Sequence, residues 1–399
     1  MRILFYVSIA AILYVYLGYP LLLRLGFFGR RRSFRRAAVR PSISVIVAAH
    51  NEEAGIEAKL HNLLALDYPR EFVEILIGSD GSSDRTEEIV SGFRDQGVGL
   101  ISFPRQQGKS AMQNGLVAAA SGEILVFTDA DCLVSRESLQ LLAEHFADAR
   151  VGLVTARANF TNGCETSVTE NESRYLRYDT WLRAEESDRG ILAMASGSLF
   201  AMRRSLWQPL PRELGDDFVL PLRVVLAGMV NRLEARAFVA TPLTQNRAGS
   251  MLRMKSRIIR KDFRALLAHR AILNPLRYGS VAFGLWSHKL LRWFVPYFLI
   301  ALLGASLALR HHPLPRALLA AQILFYALAI AGVSRRDGRA LAPFAIPASF
   351  CLVNLAALIG TARGLYSRGS GSWTPLRRGQ ESVSEPFVRR TVGEIAGEK

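Results

Sequence analysis

Phe127-Thr128-Asp129-Ala130-Asp131-Cys132 is the stretch from which the fold of this chain is read. The apolar run 124–127 ends abruptly in two carboxylates one residue apart. In extended backbone alternate side chains point the same way, so Asp129 and Asp131 converge at the end of a buried strand. That pairing suits Mg²⁺ or Mn²⁺, hard cations that take oxygen ligands and are commonly shared between carboxylates and a substrate diphosphate. Two acids at a strand end also serve turns and caps, so the triplet alone leaves both readings open.

The flanking sequence supplies a context. Residues 43–49, Ile-Ser-Val-Ile-Val-Ala-Ala, predict a strand covered on both faces. His50-Asn51-Glu52-Glu53 ends it, and Ile56, Leu60, Leu63 and Leu64 follow at helical spacing. The unit repeats, with a strand over 73–77, a turn-rich loop from Gly78 to Asp84, and a helix over 86–93 for which Ser83 or Asp84 is the N-cap. A short strand over 99–103 and an Ala-rich helix over 109–120, entered through Gly108, come next.

Such alternation predicts an α/β fold with a mostly parallel sheet, whose ligands sit at the carboxyl ends of the strands. Asp80, Lys109, Asp129 and Asp131 all fall at that rim. Taken singly, Asp80 opens a turn, Asp84 is a cap and Lys109 is a solvated lysine; together they describe one site. No GxGxxG follows the first strand and no GxxxxGK[ST] occurs, which disfavours dinucleotide and P-loop readings.

Beyond the acidic motif, residues 138–146 predict a helix and 151–156 a strand. Residues 168–189, with Tyr178 and Trp181 among many charges, predict an amphipathic helix whose aromatic stripe serves core packing or faces an acceptor. The small residues around Gly197 permit close approach to a ligand. Asp216 and Asp217 open a helix reaching about residue 227, with Pro221 placed in its first turn. They complement the helix dipole, or one of them is a general base.

The 399 residues carry net charge +16 and are 50% hydrophobic. Apolar runs at 3–23, 293–309, 316–333 and 341–361 are each about long enough to span a bilayer. Arg24, Arg30, Arg31, Arg32, Arg35, Arg36 and Arg40 follow the first run, whereas a signal peptide carries its charge in front. The positive-inside rule then puts the N-terminus outside and the middle of the chain in the cytoplasm. Residues 252–270 read as a basic amphipathic helix lying in the membrane interface, and 283–292 as a second such piece.

The expected organisation is an anchor over 1–28, a basic linker over 29–41, a catalytic domain over 42–250, interface helices over 251–292, membrane helices over 293–364 and a basic tail over 365–399. Arg335, Arg336 and Arg339 suit the inside, while Arg363, Arg368, Arg377 and Arg378 conflict with a tail left outside by three spans. Cys132, Cys164 and Cys351 imply no disulfide framework and no zinc site. The basic excess lacks any nucleic-acid motif, so membrane lipids and not nucleic acid are the expected partners. A flippase or exporter would need polar or ionisable groups inside the spans, where Asn354 is nearly alone.

Ala48-Ala49-His50-Asn51-Glu52, Asp80-Gly81-Ser82-Ser83-Asp84, Gly108-Lys109 with Asn114, Thr128-Asp129-Ala130-Asp131, Asp216-Asp217 and the basic helix together resemble the inverting family 2 glycosyltransferases of GT-A fold, in the membrane-integrated branch that includes cellulose, hyaluronan and chitin synthases. The resemblance covers about residues 42–300. It implies a UDP-sugar donor held by Ala49, Glu52, Asp80, Asn114 and Gly197, with Asp80 near the uracil and Lys109 near the phosphates. It further implies Asp131 as metal ligand, Asp129 facing the nucleotide or a metal-bound water, and Asp217 as base beside Asp216, where the family often has Glu. Arg257-Ile258-Ile259-Arg260-Lys261 stands where processive synthases have Gln-x-x-Arg-Trp and lacks the Gln and Trp. Arg257 and Arg260 remain candidates for the diphosphate. The expected activity is transfer of one or a few sugars to a lipid-linked or membrane-proximal glycan acceptor, the runner-up a processive polysaccharide synthase. From another class comes a catalytically silent membrane scaffold.

Overall fold

In a computed structural model of the protein, residues 1–160, 167–241, 248–334 and 342–366 are described. Cys164, Arg335, Arg336, Arg339 and nearly all of the 365–399 tail, with Arg368, Arg377 and Arg378, lie outside them. The chain divides into two compact units, one built on a sheet and one helical.

The sheet unit takes residues 32–160 and 190–241. Its strands are β1 Ile43–Ala49, β2 Val73–Asp80, β3 Val98–Phe103, β4 Ile124–Thr128, β5 Leu133–Val134, β6 Val151–Phe160, β7 Leu199–Arg203 and β8 Val230–Thr241, in the order β3-β2-β1-β4-β7-β6-β8-β5. β3, β2, β1 and β4 run parallel, β6 and β8 also pair in parallel, and β7 runs antiparallel to β4 and β6. The sheet is therefore mixed, its parallel half being the part read from the alternating units. All seven residues of β1 and all five of β4 are buried, as strands covered on both faces require.

β2 runs on to Asp80, which is its last residue and not part of the loop. The helix Asp216–Leu226 holds Pro221 beyond its first turn. A proline there has no N–H for the carbonyl four residues earlier, and that carbonyl, of Asp217, instead accepts from the Ala195 N–H at 3.0 Å.

Part of the arginine run is not a solvated face. Arg36 pairs with Glu234 at 2.5 Å and Glu144 at 3.0 Å, and the guanidinium groups of Arg150 and Arg232 stack on the Phe34 ring, 4.9 and 4.4 Å from its centroid. Buried His145 completes this clasp, its Nε2 3.0 Å from Glu234 Oε2.

The helical unit takes residues 1–31, 167–189, 248–334 and 342–366. Its helix Ser167–Arg189 was expected in the catalytic domain. Among the described residues, four helices are long and apolar enough to cross a membrane: Arg2–Arg24, Pro275–Ala308, Pro313–Val333 and Pro343–Tyr366. Pro275–Ala308 thus runs through residues expected to be an interface piece. It also carries an ionisable group: buried His288 lies 2.8 Å from Glu186 Oε1 and 3.1 Å from Asp179 Oδ1, and the Tyr19 hydroxyl donates to the same Glu186 oxygen at 2.6 Å. The basic helix Ala248–Ala268 packs closely on Ala342–Tyr366, where a Cβ on Gly360 would meet Ile259 at 2.9 Å.

Candidate active site

The rim formed by the carboxyl ends of β1, β2 and β4 gathers most of the predicted residues. Asp80 ends β2 fully buried, its carboxylate accepting the N–H groups of Gln107 at 2.6 Å and Gly108 at 2.8 Å. It holds the loop that delivers Lys109. Gly81 allows this: its φ is +65°, and a Cβ there would lie 2.8 Å from the Gln106 nitrogen. Buried Ala49 ends β1, and beyond it Asn51, at φ 56°, accepts the Ser83 N–H while the Glu52 N–H donates to Thr86 Oγ1. The two loops after β1 and β2 are thereby laced together.

The Lys109 ammonium lies 2.8 Å from Asp129 Oδ1 and 3.2 Å from Asp216 Oδ2. Burial opposes its charge, but Asp129, Asp216 and Asp217 overcome that and hold its pKa above the ordinary lysine value. Burial likewise opposes the charge on Asp216, yet Lys109 and the Gln113 amide, donating at 2.6 Å, keep its carboxyl below the usual range. Asp217 is less buried than Asp216. A Cβ added to Gly197 would lie 3.3 Å from Asp217 Oδ2, so the glycine lets that carboxylate stand against the chain. Asn114 uses both ends of its amide on Leu210, accepting its N–H at 2.7 Å and donating to its carbonyl at 3.0 Å. Its place is therefore in bracing the segment that leads to Asp216.

Asp129 and Asp131 are half-exposed around buried Ala130 at the end of β4. Among the described residues no three His, Cys, Asp or Glu side chains form a ready-made cage. Two carboxylates at an open rim, one already facing a cationic ammonium, fit a divalent ion whose remaining ligands are substrate and water oxygens. Burial pushes the neighbouring Cys132 thiol up to about 11, so it stays protonated near neutral pH.

Arg257 and Arg260 belong to the helical unit, and burial lowers the Arg257 pKa, with Arg260 adding to the effect. A cavity of about 910 Å³ in the sheet unit lies at the other end of β4, beside Ile124. Its Arg203 and Arg204 donate to backbone carbonyls of Phe146, Asp148, Val151 and Ser121.

Sequence reasoning missed Gln113 and Lys59. Gln113 falls with Met112, Leu116 and Val117 on the buried side of Lys109–Ala119. Lys59 is a fully buried lysine among Ile56, Leu60 and Leu63. A polar residue interrupting an apolar stripe was the available signal for both.

The mixed sheet with this acidic rim has the GT-A architecture. Residues 44–209 match the family described as Glycosyl transferase family 2. The chain is 29% identical over 248 residues to the probable glycosyltransferase YdaM of Bacillus subtilis, covering 56% of this chain and 58% of that one. It is 30% identical over 211 residues to a beta-monoglucosyldiacylglycerol synthase of Trichormus variabilis, covering 50% and 45%. The chain therefore spans about half the length of these relatives. A mannosyltransferase of Pyrobaculum calidifontis, solved with GDP-Man and Mn²⁺, shares the fold with a TM-score of 0.68 at 22% identity, covering 92% of this chain and 100% of that one.

Proposed function

We propose that this protein is a membrane-bound inverting glycosyltransferase that moves one sugar from a nucleotide sugar to a lipid-linked or membrane-proximal glycan acceptor, in glycolipid or cell-surface polysaccharide assembly. The observation that carries the reading is the Lys109 ammonium bridging Asp129 and Asp216 beside Asp217. It joins a donor-side acid to the acids that open Asp216–Leu226.

Breaking the bond from an anomeric carbon to a diphosphate builds negative charge on the leaving group. Lys109 is charged and at hand to meet it. Asp217 takes the proton from the acceptor hydroxyl as that oxygen attacks the opposite face, giving inversion in one displacement. Asp216, paired with Lys109 and Gln113, stays ionised and orients the helix start. Asp131, with Asp129 beside it, would hold Mg²⁺ or Mn²⁺, and the bound ion would supply Lewis-acid stabilisation of the diphosphate charge. Glu52, Asp80 and the laced loops form the nucleoside side of the site, with uridine as the favoured nucleoside and Asp80 acting through the 104–108 loop that its carboxylate holds.

The lipid-side acceptor is supported by the four apolar helices and by the likeness to a glucosyldiacylglycerol synthase. The arginines after the first helix favour a multi-pass protein of the inner (plasma) membrane with the sheet unit in the cytoplasm. The test is nucleotide release by the full chain in detergent or nanodiscs, with UDP- and GDP-sugars, Mg²⁺ or Mn²⁺ and lipid extract. Metal-dependent release from one donor, abolished in Asp217→Asn while nucleotide binding persists, is the expected result. Inert donors throughout would overturn the reading.

A further inference from the structure

Lys59 lies on the helix Ile56–Leu64, in the stripe that also buries Ile56, Leu60 and Leu63. Its side chain is wholly inaccessible to solvent. An ammonium taken out of water is costly unless its donors are satisfied, and a leucine would serve mere packing better. The Lys59 Nζ donates to Thr128 Oγ1 at 2.8 Å and to the Cys132 carbonyl at 2.8 Å, with Cys132 Sγ at 3.8 Å. It forms no ion pair among the described residues. Those two acceptors are the first and last residues of the turn whose middle carries Asp129 and Asp131.

The same contacts reach the acceptor side. Thr128 Oγ1, accepting from Lys59, donates onward to the Ser198 carbonyl at 2.8 Å, and Cys132 Sγ closes the turn on the Asp129 carbonyl at 3.2 Å. Ser198 follows Gly197, the residue against Asp217 Oδ2. One turn along the helix, Asn62 brackets Val134 with two hydrogen bonds, donating to its carbonyl at 2.9 Å and accepting its N–H at 2.8 Å. Asn62 thus holds β5, whereas Lys59 holds both ends of the acidic turn.

We infer that Lys59 is a positioning residue: its Nζ, bonded to Thr128 and Cys132 from beneath, sets the spacing and aim of Asp129 and Asp131 toward a divalent cation shared with a nucleoside diphosphate. Two carboxylates repel one another, and a turn free to open would let them part. The buried donor keeps the turn closed. The inference rests on the metal reading of the site given above, and it assigns Lys59 no contact with substrate.

The test is binding, independent of turnover. Mn²⁺ affinity of the full chain in detergent is measured by electron paramagnetic resonance and calorimetry with UDP or GDP present, for wild type, Lys59→Met, Thr128→Val and Asn62→Ala. Outer-shell substitutions typically weaken metal binding by about 10–100-fold. Lys59→Met and Thr128→Val should each weaken Mn²⁺ by at least about tenfold, whereas Asn62→Ala lowers the melting temperature and leaves Mn²⁺ affinity as in wild type. Thr128→Val keeps the side-chain shape, so it carries the comparison should Lys59→Met not fold. Unchanged Mn²⁺ affinity in the folded variants, or an equal loss in Asn62→Ala, overturns the inference while the transferase reading stands. Wild-type protein that binds no Mn²⁺ with either nucleotide overturns the metal reading itself, and this inference with it.

Discussion

The N–H of Ala195 donates to the carbonyl of Asp217 across 3.0 Å, an acceptor freed because Pro221 has no N–H to offer it. A proline inside a helix thus becomes a staple between the start of Asp216–Leu226 and the segment carrying Gly197. Gly197→Ala would push a methyl group to 3.3 Å from Asp217 Oδ2. Since small misplacements of reacting groups are expensive, kcat should fall on the order of tenfold to a hundredfold with nucleotide affinity unchanged. Steady-state kinetics beside nucleotide titration checks this.

Asn114 carries two hydrogen bonds to Leu210. Asn114→Ala should cost about 1–3 kcal/mol, read as a lower denaturation midpoint. Activity should fall as well, because the braced segment leads into Asp216 and Asp217.

Gly81→Ala places a Cβ in the left-handed region and 2.8 Å from the Gln106 nitrogen. The backbone term alone is about 1–2 kcal/mol, and the clash acts on the loop that Asp80 holds. Reduced thermal stability and weaker nucleotide binding are expected together in the variant.

Acid should loosen the clasp around Glu234. Burial opposes the Glu234 charge, but His145, Arg236 and Arg36 hold its carboxyl far below the usual range, and the Arg150 guanidinium does the same for Asp148. Stability from these groups is present above their unfolded pKa, about 4, and is lost as pH falls through the folded values. Burial, aided by Arg36, lowers the His145 pKa, so the unfolded chain takes up that proton first, below about pH 6.5. Melting temperatures should therefore decline from about pH 6.5 downward and more steeply below about pH 4. Glu234→Gln should be less stable than wild type at pH 7, with the gap closing in acid.

Chelation should abolish turnover and Mn²⁺ should restore it. Asp131→Asn should lower metal-dependent turnover by about 100-fold or more while circular dichroism stays that of wild type. A chelator-resistant wild type would contradict the metal assignment.

The parallel half of the sheet was legible because β1 and β4 are continuous apolar runs ended by turn chemistry, a local signal. β7 and β8 were not, since their places in the sheet depend on pairing across long separations that no local pattern encodes. The acids were legible by type and spacing, but their partners were not: nothing in the sequence says that both Asp80 oxygens hold loop N–H groups or that Asn114 closes on Leu210. The arginine run reads as a membrane signal from charge count alone, which carries no geometry and so does not show that Arg36 closes on Glu144 and Glu234.

The Tyr19 hydroxyl belongs to a chain of polar groups with Glu186 and His288 inside the helical unit. A shortened protein starting at residue 29 would strip Glu186 of its shortest hydrogen bond, and its other oxygen has no partner among the described residues. The first helix is therefore no interchangeable tether. A hydrophobic segment grafted from another protein would need a hydroxyl at the same height to stand in for it.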